Sequence, residues 1–257
     1  MLAPMHQAIL LPGGVLPKEL AYGPLVEALG EDVRALPKDL DLYSTDAPPP
    51  GYGLELEVEG VSQEADAAGF ERFHLAGYSG GGAAALAFAS RRPDRLLSLA
   101  LLEPAWMGNE ELSDDERALW GDLERIAALP PERLMPEFVR ASLAPGVEAP
   151  PPPAGPPPPW MAKRPAGIKA LIAAFKAFEL DLDALRSFPQ PVYYALGGLS
   201  NPRYYGRMAE HARQIFSDFT LDVFEERHQF DPPHRAEHER LARRLTGIWR
   251  RAEGVSA

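Results

Sequence analysis

The stretch that most constrains this chain is Gly77-Tyr78-Ser79-Gly80-Gly81. It lies between Phe73-His74-Leu75-Ala76 and Gly82, which opens the run Ala83-Ala84-Ala85-Leu86-Ala87-Phe88-Ala89. The first flank has the apolar character of a short strand, and the second is a strong helix former. A G-x-S-x-G turn from strand to helix holds its serine on a sharp bend at the tip of a sheet. Its neighbours must be small for the chain to pass through that strained conformation. Without the flanks the same five residues are only a Gly-rich turn that contains a serine. With them, Ser79 is the candidate nucleophile.

Around this turn, strands and helices alternate. Gln7-Ala8-Ile9-Leu10-Leu11 reads as a strand buried on both faces and stops at Pro12-Gly13-Gly14-Val15. A helix is expected over 18–29, with Gly30 as its C-cap, then a strand from Asp32 to Leu36. A Pro-marked loop precedes a helix over 54–68, and Gly69 closes it before the strand that carries the turn. Leu96-Leu97-Ser98-Leu99-Ala100-Leu101-Leu102 is the fourth strand, ending at Glu103-Pro104. Strands resume at Pro191-Val192-Tyr193-Tyr194-Ala195-Leu196 and Phe219-Thr220-Leu221-Asp222-Val223-Phe224, with helices expected over 204–216 and 233–251. This order implies a mostly parallel sheet of about six strands with helices on both faces.

Residues 105–188 break the pattern, offering only helical patches at 114–129, 131–143 and 169–185. Between the last two lies a proline run, 149–160, which can be neither helix nor central strand. It reads as a stiff strap across a helical insertion, anchored by Trp160, in preference to a ligand for proline-binding modules. The chain therefore divides into a core of 1–104 and 189–257 and an all-helical insertion of 105–188.

Length and charge bound the function. A chain of 257 residues buries a sizeable core. Its net charge of -11, with basic residues scattered among acidic ones, argues against a nucleic-acid surface or docking on anionic membranes. Cysteine is absent, which removes disulfides, thiolate catalysis and Cys-based zinc sites. The first residues lack a basic n-region and no stretch nears the ~20 apolar residues of a membrane span, so a soluble cytoplasmic protein acting on a small molecule is expected.

A serine hydroxyl needs a general base within hydrogen-bond reach. Of six histidines, His6 is placed before the first strand, His74 inside a strand and His211 mid-helix. His234 and His238 share a helical face and read as a solvated helix start. His228 differs: it follows the last strand in Glu225-Glu226-Arg227-His228-Gln229-Phe230, and sites in open parallel sheets form beyond the carboxyl ends of strands.

Strand-G-x-S-x-G-helix, an early strand ending in a Gly-rich loop and a histidine after the final strand resemble the α/β-hydrolase superfamily over roughly residues 7–104 and 189–252. Ser90-Arg91-Arg92-Pro93-Asp94-Arg95-Leu96 is similar to the superfamily's phrasing before the fourth strand. The resemblance implies the α/β-hydrolase fold, a helical cap at 105–188 by position, and a Ser-His-acid triad.

Two departures follow. The first strand of many members ends His-Gly, whereas this one ends Pro12-Gly13-Gly14. An oxyanion hole needs only backbone N–H groups, and the resemblance assigns them to Gly14 and Gly80, with Val15 the alternative to Gly14. Gly13 and Gly14 can also serve merely to turn the chain. The triad acid of many relatives falls where Gly198-Leu199-Ser200-Asn201-Pro202 stands, and Asn201 is an amide that cannot balance an imidazolium. Other relatives, haloalkane dehalogenases among them, take the acid from the end of the preceding strand, which makes Glu103 the leading candidate. Glu103 can instead cap a helix or pair with an arginine, and Asn201 can support His228 as a neutral group.

A serine nucleophile suits esters, thioesters, lactones or amides and excludes the dehalogenase chemistry, which uses aspartate. The expected reaction is hydrolysis of a small to medium carboxylic ester through an acyl-enzyme, needing neither metal nor organic cofactor. Perhydrolase or C–C bond hydrolase chemistry on the same triad, and a non-catalytic binder on a hydrolase scaffold, are the alternatives. Trp106, just past Glu103, is expected at the mouth of the acyl pocket.

Overall fold

Short apolar runs bounded by Gly, Pro or Asp become β1 (His6–Leu11), β2 (Val33–Pro37), β3 (Phe73–Tyr78), β4 (Leu96–Leu102), β5 (Val192–Gly197) and β6 (Phe219–Phe224). All pair in parallel in one sheet of order β2-β1-β3-β4-β5-β6. The computed structural model describes residues 5–110, 112–151 and 155–254, apart from the side chain of Asp115. The first four residues of the N-terminal reading and 152–154 of the proline strap lie outside the described residues.

The helices are α1 (Lys18–Leu29), α2 (Leu54–Ala68), α3 (Gly80–Arg91), α4 (Asp114–Ala127), α5 (Pro131–Ser142), α6 (Arg164–Ala177), α7 (Leu182–Arg186), α8 (Arg207–Ile215), α9 (Pro233–Ala236) and α10 (His238–Ala252). The pleat sends Ile9, Leu11, Leu75, Leu99, Leu101 and Tyr194 to one face, against Val58 and Val61 of α2 and Phe88 of α3. Ala8, Leu10, Ala76, Ala100, Leu102 and Tyr193 face the other way, onto Tyr22 and Leu25 of α1 and Leu241, Leu245 and Trp249 of α10. With both faces covered, the inner strands β3 and β4 read as largely apolar runs, whereas the edge strands β2 (VRALP) and β6 (FTLDVF) mix polar residues in and are only half-buried. Burial of each large apolar side chain contributes roughly 1.5–3 kcal/mol. No helix among the described residues is long and apolar enough to cross a membrane.

The chain goes from β1 to β2 on one side and then to β3 on the other, so the sheet's switch point lies between β1 and β3. The carboxyl ends of these strands form the crevice where open α/β sheets bind ligands. The loop after β1 and the turn after β3 fit there only because glycines line them. A Cβ on Gly77 would stand 2.2 Å from the Gly81 carbonyl oxygen, and one on Gly81 would stand 2.3 Å from that of Leu11 and 2.4 Å from that of Pro12. These are backbone atoms that cannot yield. Gly81→Ala is expected to lower unfolding stability by about 3 kcal/mol, read as a fall in the urea midpoint at unchanged slope.

Several element boundaries depart from the sequence expectations. The helix expected over 169–185 is two: α6 stops at Ala177, Phe178 is extended, and α7 starts afresh where the Asp181 carboxylate accepts from the Ala184 N–H at 2.9 Å. The last helix is broken at Glu237, whose φ of -127° and ψ of 41° are not helical. The helix expected from Tyr204 begins instead as a wide π turn, Pro202–Gly206. His6 is the first residue of β1, not a residue before it.

Candidate active site

Among the described residues, two with side chains occupy left-handed backbone: Ser79 at φ 51° and Glu103 at φ 45°. Each directly follows a strand, and because Tyr78 pairs with Leu102 the two stand side by side at the carboxyl edge. Backbone bonds lock the pair: Ser79 N–H donates to Leu102 C=O at 3.1 Å, Ala105 N–H to Ser79 C=O at 2.9 Å, and Glu103 N–H to Ala195 C=O at 3.0 Å. A non-glycine residue held in such a region costs of order 1–3 kcal/mol, a strain that in proteins clusters at active sites and ligand clamps.

Glu103 is buried beneath that edge. Its Oε1 accepts the Gly197 N–H at 2.9 Å, while Oε2 has no partner. Burial pushes the carboxyl up to about 7, against the opposing pull of the Ser200 hydroxyl and the Gly197 N–H. Ser200 Oγ lies near enough to exert that pull, yet it and Oε2 are both outside good hydrogen-bonding geometry.

His228 lies in the turn after β6, where Nδ1 accepts N–H groups of Phe230 at 3.1 Å and Asp231 at 3.2 Å. The neutral ring then carries its proton on Nε2. Among the described residues no hydrogen bond joins His228 to Ser79 or Glu103. Burial holds the imidazole below its ordinary value, with Asp231 opposing and Arg227 reinforcing. The buried side chain of this turn is the next one: Gln229 is 1 % exposed and its Oε1 is unpartnered. Its carbonyl accepts from the Tyr78 hydroxyl, which ties the turn to the residue preceding Ser79. Gln229 carried no signal in the sequence, because which side chain of a turn faces inward depends on backbone angles that composition does not reveal.

Gly14, Val15, Ser79 and Gly80 open onto one cavity of about 210 Å³. Leu123, Phe138, Ile168 and Leu171 of the insertion help form its apolar wall. Gly14 and Gly80 face each other closely, since a Cβ on Gly80 would lie 3.5 Å from Gly14 N. The loop holding Gly14 is supported from behind: the Tyr43 hydroxyl donates to Gly14 C=O, and the Arg164 guanidinium of α6 sits 3.8 Å from the centre of the Tyr43 ring.

Asn201 also lines the cavity, but its amide is committed elsewhere. Nδ2 donates to Ala141 C=O at 2.7 Å and Oδ1 accepts Arg203 N–H at 3.1 Å, so it fastens the end of α5 to the loop after β5. Trp106 does not reach the cavity. It is fully buried, stacked on Phe175 with ring centres 5.9 Å apart, and Trp120 takes a place in the lining instead. His234 is not a solvated helix start either: it is 0 % exposed and its ring lies against Tyr22 and Tyr78. Burial drives it down to about 3, so it is neutral filling below the Ser79 turn.

No protein-family model and no curated protein matches this sequence. Solved structures do match in shape. A carboxylesterase of the thaumarchaeon Nitrososphaera gargenis superposes with a TM-score of 0.69 at 14% identity, covering 98% of this chain and 92% of that one. A bacterial membrane phospholipase A gives 0.68 at 20% identity, covering 96% and 79%. A meta-cleavage product hydrolase of Pseudomonas fluorescens gives 0.63 at 17% identity, covering 96% and 91%. With the parallel sheet, its strand order and its encasing helices, these likenesses define the class: the chain has the α/β-hydrolase fold. The same fold carries three different activities in these neighbours, so the reaction must be argued from the site.

Proposed function

We propose that the chain is a serine hydrolase that cleaves a small to medium carboxylic ester through an acyl-enzyme. The observation that carries this reading is Ser79, held in left-handed backbone at the floor of an apolar cavity it shares with Gly14 and Gly80. His228, kept neutral near pH 7 by burial, takes the Ser79 hydroxyl proton as Oγ bonds to the ester carbonyl carbon. To do so the ring turns away from the Phe230 and Asp231 N–H groups. The oxyanion is received by the N–H groups of Gly80 and Gly14, each worth about 3 kcal/mol of transition-state stabilisation. Collapse breaks the ester C–O bond, the alcohol leaves with the proton from His228, and water then releases the acid by the same steps. Glu103 stabilises the imidazolium. The helices of 105–188 act as a cap whose apolar wall receives the acyl chain. Likeness in shape to an esterase and a phospholipase A supports the ester as substrate class.

A second reading is a ligand-binding protein that keeps the scaffold without the chemistry. It is favoured by the His228 ring bonded to its own turn and by Gln229 as that turn's buried side chain. A fluorophosphonate probe separates the two. One adduct by intact mass, mapped to Ser79 and lost in His228→Ala, is the expected result. Labelling absent from the wild type and gained in Gln229→His would establish the binding protein. A panel of p-nitrophenyl esters of increasing chain length then reads the cavity.

A further inference from the structure

At the opposite edge of the sheet from Ser79, three side chains that ester chemistry does not use converge. His6 opens β1, His74 stands on β3, and Glu253 follows α10. His6 Nδ1 lies 2.8 Å from Glu253 Oε2, and His74 Nε2 lies 3.0 Å from Glu253 Oε1. The ligand-capable atoms of all three lie within 4.8 Å of one another. His6 is only 5 % exposed, and both its Nδ1 and Glu253 Oε2 lack a hydrogen-bond partner despite their closeness. The two atoms face each other as an ion pair if His6 is protonated, but outside hydrogen-bond geometry, so a cation placed between them would satisfy both.

We propose that His6, His74 and Glu253 form a structural site for a divalent cation of the zinc type, fastening the end of α10 to β1 and β3. Imidazole nitrogen with carboxylate oxygen is a donor set for zinc, whereas calcium and magnesium take shells made of oxygen. Tetrahedral zinc with ligands at about 2.0–2.1 Å spaces those ligands roughly 3.3 Å apart. The pairs at 2.8 and 3.0 Å would spread slightly, and the remaining ligand pair, no more than 4.8 Å apart, would draw in around the ion. A second shell is already in place. Ser98 Oγ sits 2.8 Å from His74 Nδ1 and can accept its proton, which leaves Nε2 free to ligate. Trp249 stacks on the His74 ring with centres 5.0 Å apart and an angle of 17°, fixing its plane. Glu253 is the most exposed of the three, so solvent completes the tetrahedron from its side.

The test uses full-length protein stripped with a chelator and titrated with zinc chloride by calorimetry and thermal unfolding. One equivalent should bind, and the midpoint should rise by about 5 °C at a hundredfold excess over Kd. Magnesium and calcium should leave it unchanged. His6→Ala and Glu253→Gln should each lose both the stoichiometric binding and the thermal response. Glu253 lies beyond the last helix, so its variant tests the site even if His6→Ala fails to fold. Absence of stoichiometric binding in the wild type, or its survival in Glu253→Gln, as a site at His228 would give, overturns the proposal. Ester hydrolysis measured alongside does not bear on it.

Discussion

Ser79→Ala is expected to reduce p-nitrophenyl ester hydrolysis about 10⁴-fold or more while leaving the urea midpoint unchanged or raised. The chemical part follows from covalent catalysis, because no acyl-enzyme can form without the hydroxyl. The stability part follows from the setting. Among the described residues no hydrogen bond ties Ser79 Oγ to the fold, and the backbone bonds fixing the turn come from Ser79 N–H and C=O, which alanine keeps. The left-handed backbone strains alanine as it strains serine. A large loss of activity with no loss of stability would place the effect in the reaction. Unchanged turnover would show that another group performs the cleavage.

Glu103→Gln is expected to move activity and stability in opposite directions. The folded carboxyl takes up its proton at about 7 and an unfolded one near 4.3. Between those values the folded chain holds more protons than the unfolded one, so its stability falls as pH rises through the window. Above pH 7 the buried charge costs about 4 kcal/mol. Glutamine keeps the Gly197 N–H acceptor, can offer its amide to the Ser200 hydroxyl, and carries no charge. The variant should therefore gain about 4 kcal/mol over wild type at pH 8 and almost nothing at pH 4, measured by denaturant unfolding. Hydrolysis should fall about 10³–10⁴-fold at pH 8. Wild-type turnover should climb with pH through about 7 as Glu103 ionises. Asn201→Ala, which loses the tie to α5, should cost about 1 kcal/mol of stability and little turnover. A greater loss of turnover there than in Glu103→Gln would reverse the assignment of the acid.

The Ser79 turn was legible because its information is local: an apolar strand run, a turn of three glycines around Ser79, then a helix former. The sheet was legible for the same reason, since runs such as Ala8 to Leu11 state their burial in composition alone. What depends on meetings between distant segments was not. His234 read as exposed because nothing near it announces Tyr22 and Tyr78, which cover it. Trp106 read as a pocket residue because its stacking partner Phe175 lies on another helix. Glu103 could be singled out from the amide at Asn201, but its elevated proton affinity comes from burial that only the packed sheet creates. Nothing local in the sequence joins His6 and His74 to Glu253, since His74 and Glu253 are 179 residues apart.

The contact of Arg164 with Tyr43 has a consequence for how a substrate enters. Arg164 belongs to α6, whose Ile168 and Leu171 wall the cavity, while Tyr43 holds the carbonyl of Gly14 from the other side. An outward shift of α6 would draw the cation off the aromatic ring and take a support from the loop that holds Gly14. Shifting it back restores both together. The cavity wall and the Gly14 loop are thus mechanically linked through Arg164 and Tyr43, so on the proposed mechanism any widening of the cavity would also unsettle an oxyanion donor.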